Sequence, residues 1–239
     1  MDHAQNIVKE LDTAIANLQN IHTSKQKNIA IATTNIAFEQ AWLPIAIKIA
    51  KEKYQLNFKL ISFTPGTASN LKKLLLNHVA DILILQNDYF ANENQIVSTC
   101  FFKKGFSVLI NRTDSLAQQE EITLSDLTNR KLLIWDSAFI SPIIENLKLQ
   151  LSKIQTPFSI ESCADYFQLI TQVRVESYTG IIPSIMFDRC NQDLSYVPLV
   201  YSQKIEYCAN YLQKNCDSDS IQKSLQVIKK AIAITQAKW

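Results

Sequence analysis

The chain has 239 residues, 47% of them hydrophobic and 19% charged, with a formal net charge of +2. That composition suits a globular fold of one large domain or two small lobes, and it lacks the basic stripe of a DNA-binding surface. Only 3 glycines and 3 histidines occur, where average usage gives roughly 17 glycines in a chain this long; no P-loop, G-x-G-x-x-G turn or G-x-S-x-G elbow can be written, and His3, His22 and His78 lack zinc-ligand spacing.

Residues 3–22 carry Ile7, Leu11, Ala14, Leu18 and Ile21 at alternating spacings of four and three, the a/d seam of an amphipathic helix. Such a helix either docks on its own domain or pairs with a second copy, and the seam favours dimerisation. A polar linker, Ser24 to Lys27, follows. Strand and helix patterns then alternate. Asn28–Thr33 predicts a strand, Ile36–Tyr54 a long helix containing Pro44, Asn57–Phe63 a strand, Thr67–Val79 a helix and Asp81–Leu85 a buried strand. This order implies parallel pairing with right-handed crossovers. Ile96–Ile110 reads as two extended segments broken at Lys103–Gly105, and Leu124–Leu127 as a short helix capped by Thr123.

A second α/β unit begins with the strand Lys131–Asp136, followed by a helix over Pro142–Ile154, a strand over Phe158–Glu161 and a helix over Asp165–Val175. Gly180–Pro183 predicts a buried strand, Ser184–Cys190 a short helix, Leu194–Val200 and Lys204–Leu212 strands, and Ser218–Lys238 a closing helix. The expected architecture is α/β, with a linker helix over residues 1–25, lobe I over 26–99 plus 203–239, and lobe II over 100–202.

Small polar residues gather where strands hand over to helices. Thr33, Thr34 and Asn35 follow the first strand, Gly66, Thr67 and Ser69 open the second helix, and Gln86 and Asn87 follow the third strand. Asp136, Ser137 and Ser141, and then Ser162, Cys163 and Asp165, repeat this in the second unit. Each residue alone is an ordinary helix cap. Together they line the carboxyl edges of two sheets, where open α/β folds bind ligands and helix N-termini present free N–H groups. A small anion or carboxylate is the expected ligand, held by hydrogen bonds, with Arg112, Arg130, Arg174 and Arg189 as possible partners.

Catalysis has little support. His78 reads as a surface residue, and Glu120–Glu121 as a solvated pair. Cys163 is the best thiol candidate because a helix N-terminus lowers a thiol pKa, although a small buried or capping residue is the simpler role. The five cysteines, Cys100, Cys163, Cys190, Cys208 and Cys216, show no C-x-x-C pairing. An odd, unpaired set suits a reducing cytosol, and a Cys208–Cys216 redox pair is a remote alternative. No signal core and no apolar run of about 20 residues is present, so the protein reads as cytoplasmic without membrane contact.

Several stretches resemble one family in order and spacing. KNIAIATTNIAFEQAWLP behind the heptad helix is similar to the linker helix, first strand and first helix of LysR-type transcriptional regulators. FTPGTASNLKKLLLNHVADILIL resembles that family's second strand, the helix after it and the acidic residue opening its third strand. FFKKGFSVLINRTDSLA, with Asp114, Ser115, Leu116 and Ala117, looks like its "D-H-P-L-A" ending. ITLSDLTNRKLLIW and VRVESYTGIIPSIM resemble later segments.

The resemblance spans essentially the whole chain and implies two Rossmann-like lobes of the periplasmic-binding-protein type 2 kind, holding a small-molecule effector between them. It implies effector contacts at Thr33, Thr34, Asn35, Thr67, Ala68, Gln86, Ser137 and Cys163, and dimerisation or tetramerisation helped by Ile7, Leu11, Ala14, Leu18 and Ile21. With no nucleophile–base pair and no histidine ligand spacing in the sequence, no cofactor, no metal and no enzymatic activity are expected. ATT and the GT of PGTASN look most like the branch that senses sulfur-assimilation metabolites. The family's winged helix-turn-helix is not in this chain, so DNA would be reached only through a domain outside it. Glu176 and Tyr178 replace the family's glycines and are expected to reshape the pocket. The alternative is a stand-alone cytosolic binding protein of the same fold.

Overall fold

The computed structural model describes residues 27–63, 71–90, 93–136, 141–154 and 160–237. The heptad seam, Gly66, Thr67, Ala68 and Ser137 therefore lie outside the described residues.

In chain order the elements are β1 (Lys27–Thr33), α1 (Ala37–Tyr54), β2 (Leu56–Ser62), α2 (Leu71–Leu76), β3 (Ile82–Gln86), β4 (Ile96–Lys104) and β5 (Phe106–Asn111). They continue with β6 (Leu132–Trp135), α3 (Pro142–Ile154), β7 (Ile160–Cys163), α4 (Tyr166–Val175), β8 (Thr179–Pro183), β9 (Leu194–Leu199), β10 (Ile205–Leu212) and α5 (Asp219–Gln236). Two five-stranded sheets result, ordered β2-β1-β3-β10-β4 and β7-β6-β8-β5-β9.

In the first sheet β1 runs parallel to β2 and β3, while β10 returns antiparallel between β3 and β4. Side chains on β3 alternate between two cores. Ile82 and Ile84 pack with Phe38, Trp42 and Ala46 of α1 and Ile228 of α5, whereas Leu83 and Leu85 pack with Leu71 and Leu75 of α2. A strand covered on both faces must be apolar throughout, which accounts for the unbroken run ILIL. Full burial of each such side chain contributes roughly 1.5–3 kcal/mol. Register is fixed by polar groups. Asp81 accepts from the Ala30 N–H at 2.8 Å and returns its own N–H to the Ala30 carbonyl at 2.8 Å. Asn210, fully buried on β10, donates to the carbonyls of Leu83 and Leu85 and accepts from Ser98 at 2.6 Å, joining three strands.

The second sheet is built likewise, with β6 parallel to β7 and β8, and β5 antiparallel to β8 and β9. Gly180 on β8 has a packing reason. A Cβ there would stand 3.1 Å from Leu169 and Val173 of α4 and 3.2 Å from Leu109 of β5. The missing side chain lets α4 lie close against its sheet.

The chain first passes between lobes at Gly105, not at residue 100. β4 stays paired with β10 as far as Lys104 opposite Ile205, so all of it belongs to lobe I. Two helical expectations shorten. The second helix ends at Leu76, where His78 turns back with φ 54. The expected helix Ser184–Cys190 is a single turn over Ser184–Met186, because the Asp188 carboxylate captures the Cys190 N–H at 2.9 Å and closes a local turn instead.

The cysteine expectation is overturned. Cys100 and Cys208 form a disulfide between β4 and β10, with Cα atoms 4.0 Å apart. They are 108 residues apart in sequence, so no local spacing announces them; strand pairing alone sets them opposite one another. The same bond accounts for the nearness of the two sulfurs to Glu206. Cys216 is free rather than paired with Cys208, and unpaired cysteines no longer argue for a reducing compartment. Among the described residues no helix is long and apolar enough to cross a membrane.

Candidate functional site

The carboxyl ends of β1 and β3 in lobe I face those of β6, β7 and β8 in lobe II across a cavity of about 310 Å³. That size falls within the range of small-molecule sites. Its lobe I wall contains Thr34, Glu39, Gln86 and Tyr207, and its lobe II wall Trp135, Asp165, Tyr166, Phe167 and Met186. Ile205 closes it beside the return crossing, and Ile185 packs against the cores of both lobes.

Glu39 organises the lobe I wall. It lies on the core face of α1 in line with Trp42, Leu43 and Ala46, and is fully buried. Its carboxylate accepts from the Ile36 N–H at 3.3 Å and so caps its own helix. Thr34 donates to it at 3.1 Å and the Tyr207 hydroxyl at 3.0 Å, while Trp42 Nε1 donates to Tyr207 at 3.3 Å. Burial outweighs these donors and pushes the Glu39 carboxyl up to about 7; burial and the neighbouring Glu39 charge push the Tyr207 hydroxyl up as well.

Gln86, at the end of β3, is 7% exposed, and its Nε2 has no hydrogen-bond partner among the described residues. A buried donor in that state costs about 1–3 kcal/mol until something accepts from it. Across the cleft Asp165 caps α4, accepting from the Gln168 N–H at 2.7 Å.

The predicted residues separate accordingly. Thr34 and Gln86 line the cavity. Thr33 is buried in the sheet and its carbonyl accepts from the Phe63 N–H. Asn35 is exposed in a left-handed turn at φ 60, its carbonyl bonded to Gln40. Cys163 is buried beneath the cleft, and its thiol donates to the Asp165 carbonyl at 3.1 Å. Burial pushes that thiol up, opposite to the activation expected at a helix start. Asp136 is buried and ion-paired with Lys148.

The candidate arginines lie away from the cavity lining. Arg130 grips Asp114 through two bonds of 2.7 and 3.0 Å, and Arg174 grips Asp193 at 2.6 and 2.9 Å. His78 is exposed, 3.3 Å from Lys214. Glu176 and Tyr178 also miss the pocket. They precede β8, whereas the cavity takes its lining from the other end of that strand, at Pro183 and Met186; Tyr178 instead donates to Glu161 at 2.9 Å. Glu39 and Tyr207 were not anticipated. A carboxylate on the apolar stripe Phe38, Trp42, Leu43, Ala46 was the available signal.

The sequence matches no family model and no curated protein. Solved structures do resemble the fold. A LysR family transcriptional regulator from Pseudomonas aeruginosa, HinK, superposes with a TM-score of 0.71 at 14% identity, covering 95% of this chain and 78% of that one. The OxyR C206 mutant of Corynebacterium glutamicum gives 0.67 at 14% identity, over 96% and 72% of the two chains. The BenM effector-binding domain with its effector benzoate gives 0.67 at 17% identity, over 87% and 93%. The chain has the two-lobed fold of the effector-binding domains of LysR-type regulators.

Proposed function

We propose that this chain is the effector-sensing module of a LysR-type transcriptional regulator acting in the cytoplasm. A small molecule enters the cleft and favours one relative setting of the lobes, which the linker helix expected from the sequence over residues 3–22 passes to an attached DNA-binding domain. The observation that carries this reading is the cavity of about 310 Å³ walled by both lobes, with a Gln86 donor in its lining that has no partner among the described residues. Self-association belongs to the same proposal, through the seam of Leu11 and Leu18. The expectation of an anionic effector rested on helix N-termini, and the carboxyl groups of Glu39 and Asp165 at those helix starts weigh against it.

A thermal-shift screen of small metabolites tests the cleft. Compounds that raise the melting temperature should lose their effect in Ala164→Trp, which places a bulky ring on the exposed rim of the cavity. No stabilising compound, or shifts unchanged by that substitution, would overturn the reading. Sedimentation of Leu11→Asp/Leu18→Asp tests the seam: a smaller species is expected, and an unchanged one removes the linker helix from the interface.

A further inference from the structure

We infer that the cleft selects an uncharged, largely apolar ligand bearing one hydrogen-bond-accepting oxygen, seated with that oxygen on Gln86 Nε2. This rests on the effector-binding reading above and adds the chemical class of the effector.

Three observations carry it. The first is the wall chemistry: Leu85, Trp135, Met186 and Ile205 supply apolar surface, and no lysine or arginine occurs among the described residues that line the cavity. Residues 137–140, which follow Trp135 in sequence, contain neither residue. The second is the state of the helix ends. Each of these helix starts already carries a carboxyl: the Ile36 N–H is given to Glu39 and the Gln168 N–H to Asp165. Two carboxyl groups thus stand beside the place an anion would take, and no lysine or arginine among the described lining residues offsets them.

The third is the orphan donor. Gln86 Nε2 is buried and has no partner among the described residues. Only an acceptor satisfies it. An ammonium ligand brings donors alone, and Glu39 already accepts from Thr34, Ile36 and Tyr207, so a cation would leave Gln86 unpaired. A neutral carbonyl or ether oxygen meets the donor without carrying charge past the carboxylates.

Calorimetric titration of the chain with matched probes at pH 8 tests this. One set is acetophenone, benzoate and benzylamine; the other is the cyclohexyl equivalents, methyl ketone, carboxylate and aminomethyl. In each set the ketone should bind at least about tenfold more tightly than its charged partners, and Gln86→Leu should weaken the ketone by about five- to tenfold with little effect on the others. Ala164→Trp should abolish binding of the ketone, placing it in the cleft. Equal or tighter binding of a carboxylate or amine that Ala164→Trp abolishes would overturn the ligand class and leave the cleft as a binding site. Ketone binding indifferent to Gln86→Leu would overturn the inference too. Failure of every probe at up to about 10 mM, generous for ligands of this size, would count against the cleft itself.

Discussion

Glu39 in lobe I and Asp165 in lobe II each accept a backbone N–H at the start of a helix that faces the cleft, Glu39 from within the helix and Asp165 from its cap position. Their surroundings differ sharply. Asp165 is exposed at the rim and answers one backbone N–H, an ordinary aspartate cap. Glu39 lies on the core face of α1, carries a network through Tyr207 to Trp42, and is held near neutrality by burial. A carboxyl at a helix start therefore serves two ends. In lobe II it finishes a helix; in lobe I it also lays a polar strip along an otherwise apolar cavity wall.

The largest separation between the two carboxyls should appear in pH. Glu39 ionises at about 7 when folded and near 4.5 otherwise, so between those values the folded state binds more protons than the unfolded one. Its contribution is most favourable below about pH 4.5, is lost as pH rises to about 7, and is constant above. Linkage puts the difference at about 3 kcal/mol. Chemical denaturation of the wild type and Glu39→Gln from pH 5 to 8 should show the variant gaining on the wild type by an amount of that order. Parallel curves would mean that Glu39 titrates as an ordinary carboxylate, and the contrast with Asp165 would disappear.

Next in size is the packing that holds the lobe II helix in place. Gly180→Ala forces a methyl against Leu169, Val173 and Leu109 and should cost about 2 kcal/mol in denaturant unfolding. It should displace α4 and Asp165 with it, leaving the Glu39 titration unchanged. A shifted Glu39 midpoint would show that the two walls are coupled.

A smaller loss is expected for Asp165→Ala, about 1 kcal/mol for one cap. The same change removes a carboxylate from the rim and frees the Gln168 N–H, so benzoate should gain affinity while acetophenone does not. Destabilisation without that gain would confine Asp165 to helix capping.

The contrast between these caps also shows what a sequence displays. The β1-α1-β2 order, the buried ILIL strand and the two-lobe division were legible because period-two and helical patterns record burial directly. Asp165 was legible as a cap because it immediately precedes an apolar helical run. Glu39 was not, since its importance depends on Tyr207 of β10, 168 residues away. The Cys100–Cys208 bond was hidden for the same reason. Glu176 and Tyr178 were misplaced by an argument from relatives' glycines, which could not say to which end of β8 the cavity belongs.

The smallest stability effect should come from Phe167, and it separates binding from folding most cleanly. Its ring is 76% exposed, beside Asp165 at the cleft mouth, so it contributes little to the lobe II core yet lines the cavity. Phe167→Ser should change unfolding stability by no more than about 0.5 kcal/mol. If the lobes draw together over an apolar ligand, that ring passes from water to ligand on closure, and its loss should weaken acetophenone several-fold more than it alters stability. A rim that closes only through lobe I would leave binding unaffected, and the lobe II wall would then be a fixed surface against which lobe I does the selecting.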